Sequence, residues 1–393
     1  MSWQEVLSNE VLDIRDGTHD SPKYLDSGYP LITSKNLKQG IIDFSDVSLI
    51  SEEDYNNINK RSRVNKGDIL YSMIGSIGNY ALVNKEPHYA IKNVALFKFI
   101  DKRLHNKYFL HLINSFVIER QIKKAMKGGT QKFVSLKILR NLKIPLPPLD
   151  QQKKIAAILD AADGYRQKTK ALIEKYDELT QSLFLDMFGD TWLNPNEYKL
   201  QKLSELVNEG KIITYGIVQA GDHVEDGIPY IRTGDIKNGK INTQGLLRTS
   251  QEIANSYMRS KCSAGDIIMS IRATVGTIAF LPDEMDGANL TQGTARISTD
   301  DKLANPLFLY HCIKSRGIQL RIDQQTKGAT FREIPLTRLR NIEIPLPNLD
   351  LQNQFAERVQ AIEAQKAQAQ ASLAQAEDLF NSLLQRAFKG ELS

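Results

Sequence analysis

Cysteine is nearly absent from this chain. Among 393 residues there are two, Cys262 and Cys312, and neither has a second Cys or His at zinc-ligand spacing. A disulfide framework and a zinc site are therefore not expected; two ordinary buried thiols in a reducing cytoplasm are. Long apolar runs are missing too. No stretch of 18 apolar residues occurs, and residues 1–17 mix Trp3 with Glu5, Glu10, Asp13 and Arg15 where a secretory signal needs an apolar core. The expectation is a soluble, cytoplasmic protein with no membrane association. Catalytic signatures are also wanting. The six histidines (19, 88, 105, 111, 223 and 311) are scattered, and no Asn-Pro-Pro-Tyr or Asp-Pro-Pro-Tyr of an amino-methyltransferase occurs. Residues 234–240 match most of a Gly-x4-Gly-Lys phosphate loop, but Ile241 stands where Ser or Thr must reach Mg²⁺. The chain is thus expected to be no enzyme in its own right.

What the chain does have is a duplication. Leu139 to Asp150 (LRNLKIPLPPLD) returns 200 residues later as Leu339 to Asp350 (LRNIEIPLPNLD), with nine of twelve positions identical. Each copy reads as a short strand ended by prolines, which cannot donate to a ladder, running into a segment with helical periodicity. Upstream, other stretches pair off: Gly28 to Ile42 with Gly227 to Ile241, Lys66 to Ser72 with Ala264 to Ser270, and Ser76-Ile77-Gly78 with Thr274-Val275-Gly276. Short apolar runs between Gly and polar residues predict strands and turns, hence a duplicated β-rich unit. Helix-like runs beginning at Asn106 and Asn305 each end in a basic glycine loop, residues 127–132 and 327–332.

From Gln151 to Phe188, apolar or small residues fall at 155, 158, 162, 165, 169, 172, 176, 179 and 183, the spacing of a heptad seam. The C-terminal counterpart uses 355, 359, 362, 369, 373, 376, 380, 383 and 387, with Lys366 as an exception. Neither helix can bury its stripe alone, so the two are expected to pair antiparallel. The predicted fold class is α+β: two β-rich domains in tandem pseudo-repeat (1–150 and 189–349), separated by long helices (151–188 and 350–393) that form a coiled coil.

Charge is unevenly placed. Residues 102–143 hold eleven Lys or Arg against one acid, a net of +10, and the equivalent window 302–343 nets +5, while the whole chain carries only +5. Recurrence at the same place in both copies points to a polyanion surface rather than a solvated helix face.

The order of β-rich domain, Gly-Gly-Thr type loop, Ile-Pro-Leu-Pro-Pro-Leu-Asp-Gln-Gln and long helix, given twice, resembles the specificity subunit of type I restriction-modification enzymes. Phe188-Gly189-Asp190 with Asn194-Pro195 is similar to that family's joint into its second domain. The resemblance covers essentially the whole chain. It implies two target-recognition domains, each reading one half of a split, asymmetric site in double-stranded DNA, and helices that set the spacer and dock two methyltransferase subunits. Restriction or translocase subunits complete the implied assembly. No cofactor is implied for this chain; the partners would use S-adenosylmethionine, ATP and Mg²⁺. Two departures, Asn348 for the second proline and Leu351 for the first Gln, suggest that the start of the second helix differs in detail. A different class of function, a cytoplasmic coiled-coil scaffold binding proteins through duplicated β domains, has no need of such basic windows.

Phosphate contacts require cations and small residues that admit the backbone, which selects Lys127, Gly129, Thr130 and Lys132 with Lys327, Thr330 and Arg332. Base reading requires Arg or Lys for guanine and Asn or Gln for adenine, which selects Lys35, Asn36 and Lys38 in the first copy and Arg232, Lys237 and Arg272 in the second.

Overall fold

Both copies of the proline-ended joint are strands of two-stranded sheets, where a residue without an N–H sacrifices little pairing. In the computed structural model, which describes residues 3–38, 40–126, 133–328 and 331–392, Lys143–Pro145 pairs antiparallel with Glu5–Leu7, and Glu343–Leu346 with Lys199–Lys202. The chain forms two units, residues 1–170 with 371–393 and residues 171–370.

Within the first unit a four-stranded sheet runs in the order Leu12–Asp16, Val94–Phe99, Ile69–Ser72, Tyr80–Leu82. Its second-unit counterpart runs Thr214–Tyr215, Thr294–Ile297, Ile267–Ser270, Ile278–Phe280. The strands Ile69–Ser72 and Ile267–Ser270 are buried at every position, because both of their faces are covered. Each unit adds a three-stranded sheet centred on Tyr29–Ile32 or Ile228–Ile231, with one parallel and one antiparallel neighbour. The helix-like runs are each two helices, Asn106–Ile113 and Phe116–Met126 in one copy, Pro306–Lys314 and Arg316–Gln325 in the other.

Part of the excess of basic residues in the windows after residues 102 and 302 is structural. Arg140 donates to the carbonyl of Ile14 at 3.2 and 2.7 Å, and Arg340 repeats this on Ile213 at 3.0 and 2.7 Å. Gln121 and Arg321 similarly reach the carbonyls of Lys143 and Glu343 at 3.0 and 2.9 Å. These side chains tie the basic segments to their own sheets.

The long helices each run 40 residues, Leu149–Phe188 and Leu349–Phe388. Despite the departures at 348 and 351 they start alike. Gln152 and Gln352, both fully buried, each accept a backbone N–H at the start of a helix 47 residues upstream (His105 at 2.9 Å, Asn305 at 2.8 Å) and donate to the carbonyl of Pro147 or Pro347 at 2.8 Å. Asn348 Oδ1 accepts from the N–H of Leu351 at 2.9 Å, so the residue replacing proline acts as a helix cap. The first helix ends at Gly189, in the left-handed region at φ 75°, where a Cβ would lie 2.6 Å from Pro195; this contact accounts for the Gly-Asp…Asn-Pro joint.

In the first unit, residues 149–170 lie antiparallel to 371–388, with Arg166 over the Phe380 ring at 4.4 Å and Lys170 to Glu377 at 3.3 Å. In the second, residues 171–188 lie antiparallel to 349–370, Lys366 pairing with Asp177 while Phe184 and Phe188 meet Phe355 at 5.5 and 5.3 Å. Every expected seam position of the second long helix is buried or half-buried, Lys366 included. The first helix differs. Positions 155, 162, 169, 176 and 183 face inward as expected, but the alternate positions shift by one: Leu159, Arg166, Ile173 and Thr180 are turned in, while Tyr165, Leu172 and Leu179 are 53%, 43% and 49% exposed and Ile158 is half-buried. Arg166 enters because its guanidinium finds an aromatic face, and Thr180 because its hydroxyl donates back to Tyr176 O at 3.1 Å.

The first unit's core gathers Phe97, Tyr108, Phe109, Ile155, Leu159, Phe380 and Phe388. In the second, Phe184, Phe188, Phe308 and Phe355 cluster with ring centroids 4.9 to 6.0 Å apart. Cys262 and Cys312 are free and buried, and burial pushes the Cys312 thiol up to about 12 and raises that of Cys262 as well. No helix among the described residues is long and apolar enough to cross a membrane.

Candidate nucleic-acid interface

In the second unit, four loops meet at one end of the four-stranded sheet. The turn after Ile267–Ser270 is fixed by buried Ser270, whose hydroxyl donates to Arg272 O at 2.9 Å, with Ala273 in the left-handed region at φ 58°. Alongside it, Lys327 and Glu333 exchange backbone hydrogen bonds of 2.8 and 2.9 Å that close the basic loop, Ala273 N donates to Arg332 O at 2.9 Å, and Ile334 N to Ile271 O at 3.0 Å. From the other side, Gly293 O accepts from Ile271 N at 2.8 Å and from the Thr233 hydroxyl at 3.2 Å, which brings in the loop carrying Arg232. Arg232, Arg272, Lys327 and Arg332 therefore share one surface.

Their charges are partly engaged. Arg232 holds the carboxylate of Asp235 with two donors at 3.0 and 2.9 Å, which raises its own pKa. Arg272 reaches Glu333 at 3.0 Å and Arg332 reaches Asp323 at 2.6 Å. All three keep about half of the side chain exposed, 44%, 42% and 46%. A guanidinium has five N–H donors, so each retains donors for a further acceptor. Lys237 is exposed and stands apart on the hairpin Ile236–Lys237 and Lys240–Ile241, which packs against Ile278–Phe280. Asn238 and Gly239, at φ 51° and 74°, make a two-residue type I′ turn there, so the Gly-x4-Gly-Lys match is a hairpin and no phosphate loop.

The first unit repeats the scaffold. Buried Ser72 donates to Ile74 O at 3.0 Å, and Val134 N donates to Met73 O at 2.9 Å, the counterpart of Ile334 on Ile271. Lys127, Gly129, Thr130 and Lys132 lie outside the described residues, as does Thr330 of the second copy. Lys35 and Lys38 are exposed and paired to Asp46 (2.9 Å) and Asp43; the bond from Lys38, aided by the N–H of Ser45, holds the Asp43 carboxyl well below the usual range.

Asn36 is a correction. It is 2% exposed, and its amide is spent: Oδ1 accepts from the N–H and hydroxyl of Thr33, both at 3.0 Å, and Nδ2 donates to Asp43 O and Asp46 O at 3.1 and 2.9 Å. Asp235 occupies the same position of the second copy and accepts from Arg232 N at 2.8 Å. The residue caps a turn and has no edge to offer a base. Sequence reasoning also passed over Phe331, which is 88% exposed beside Arg332. The available signal was an aromatic in a loop otherwise of Gly, Ala, Thr and basic residues.

No cluster of His, Cys, Asp or Glu fit for a metal occurs among the described residues. In the second unit the site is a basic surface whose loops are tied by backbone bonds, a geometry suited to contacting a polyanion. A family model for the type I restriction modification DNA specificity domain matches residues 2–175 and again 195–377. The chain belongs to this family and carries its domain twice. It is similar to the type I restriction enzyme EcoBI specificity subunit of Escherichia coli, at 27% identity over 100% of this chain and 86% of that one. Among solved structures, it matches the type I restriction-modification S subunit from M. genitalium with a TM-score of 0.56 at 15% identity, over 98% of this chain and 96% of that one. A chain from a study of assembly and conformational transition of the type I R-M system matches at 0.60 and 20% identity, over 100% and 98%. These two likenesses are of fold.

Proposed function

We propose that this chain is the DNA-specificity subunit of a type I restriction-modification assembly, each unit reading one half of a bipartite, asymmetric target. The observation that carries this reading is the serine-anchored turn, Ser72 in one unit and Ser270 in the other, with the same DNA specificity domain matched in both. The scaffolds agree while the cations proposed to read bases differ: Lys35 and Lys38 in the first copy, Arg232, Lys237 and Arg272 in the second. Two unlike half-sites follow. The long helices set the gap between them and dock two methyltransferase subunits, which together with restriction subunits supply the chemistry, using S-adenosylmethionine, ATP and Mg²⁺. The family match favours this reading over a coiled-coil scaffold for other proteins.

Sequencing of DNA methylation in cells expressing the chain with its modification subunits tests the proposal. A split motif with a constant gap is expected, absent when the chain is omitted. A methylation pattern indifferent to the chain overturns the proposal, and so does methylation or cleavage by the rigorously purified chain alone.

A further inference from the structure

Building on the specificity reading, we propose that Phe331 is an apolar wedge that enters one base step of the half-site read by the second unit and unstacks it. At 88%, Phe331 is the most exposed large apolar side chain among the described residues. Leaving such a ring in water forgoes about 2 kcal/mol of burial. Described residues on both sides of it are nevertheless tied by backbone bonds. Lys327 and Glu333 close the loop with their paired backbone bonds, and Arg332 O is held by Ala273 N at 2.9 Å. Gly328, at φ +85°, lets the carbonyl oxygen of Phe331 sit 2.2 Å from where a Cβ would be, an approach open only to glycine. A ring next to backbone already held by such bonds gives up less conformational freedom when it is inserted.

The surroundings indicate which partner receives it. Lys327 and Arg332 are exposed on either side of the ring, Arg272 adjoins them, and the nearby acids Glu333 and Asp323 are each engaged by an arginine. Cations flanking an apolar tip match a duplex, where phosphates border every base step and a Phe can enter between stacked bases. An apolar pocket on a protein would need no such cations. The first copy has Gln131 at the equivalent place, so the wedge acts in one half of the target only.

The test uses the chain assembled with its modification subunits and duplexes of the methylated target, with 2-aminopurine placed at each position in turn. The native assembly should raise fluorescence at one step in the second unit's half-site. Phe331→Ala and Phe331→Gln should abolish that rise and weaken binding about tenfold, on the scale of one lost base–aromatic contact, while Phe331→Leu keeps the rise. A nick at that step should restore part of the affinity of Phe331→Ala. Flat fluorescence at every position, in an assembly that still selects its target, overturns the wedge and leaves the specificity reading standing. Loss of modification-subunit binding in Phe331→Ala, with target affinity unchanged once assembly is saturated, assigns the ring to a protein contact and also overturns the wedge. A native assembly that selects no sequence overturns the specificity reading itself.

Discussion

Asn36 and Lys38 lie two residues apart and do different work. Removing the Asn36 amide leaves two donors on Thr33 and two carbonyl acceptors without their partner. Asn36→Ala should therefore cost about 1 to 3 kcal/mol in urea unfolding of the first unit. Lys38→Ala, which removes an exposed pair, should leave that stability within about 0.5 kcal/mol and weaken DNA binding instead. Chemistry alone could not separate these roles in the sequence, because the donor and acceptor that let asparagine read adenine are the ones that cap a turn. His311 is a second residue whose effect is measurable. Packed edge-on against Phe355 at 5.5 Å, its imidazole is pushed down to about 4, by burial first and Lys314 second. Below about pH 6.5 the unfolded chain takes up a proton here that the folded chain refuses until about pH 4, so stability falls as the pH is lowered through that window. Between pH 7 and 5 the native chain should lose about 1 to 2 kcal/mol more than His311→Gln in urea titrations.

At the scale of elements, the strands ended by prolines, the paired turns and both long helices were legible in the sequence, because duplication shows each signal twice. The second helix was read correctly along its whole seam. Half of the first seam was misread because apolar character stood proxy for burial: Leu172 and Leu179 look like core, whereas Arg166, stacked on Phe380, and Thr180, bonded back to Tyr176 O, occupy it. A direct comparison follows. Replacing Leu172 and Leu179 together by Lys should leave the melting temperature of the isolated chain nearly unchanged, as expected of surface changes within about 0.5 kcal/mol each. Leu159→Ala, at a fully buried position, should cost about 2 to 5 kcal/mol. Equal losses in the two variants would restore the expected seam. The site was less legible than the fold. Which cations converge depends on bonds between loops some 60 residues apart in sequence, such as the Thr233 hydroxyl to Gly293 O and the Arg272 guanidinium to Glu333, and no local pattern encodes those.

For the whole molecule, independence of the two readers is the first expectation. Exchanging residues 1–150 for those of a relative should change one half of the methylated motif and leave the other intact; a change in both halves would contradict separate readers. The helices offer a second handle on the proposed reading. One heptad inserted after Ile173 and one after Ala371 preserves the Lys170–Glu377 and Lys366–Asp177 pairs and returns both stripes to the same face. Seven residues add about 10 Å of helix, or about three base pairs. Selection from targets with randomised spacing should return a longer gap or no binding, and recovery of the original gap at the original affinity would remove the helices from that role.

The first unit is assembled from two separate stretches, 1–170 and 371–393, with Phe388 packed on Tyr108 at 5.6 Å, while the second is the single uninterrupted stretch 171–370. On the ribosome the order of completion is therefore inverted. The half that is synthesised second has all of its residues first, and the half that is synthesised first stays open until the final turns of its closing helix emerge. A frameshift or stop codon that removes residues 371–388 would spare the later reader and cripple the earlier one.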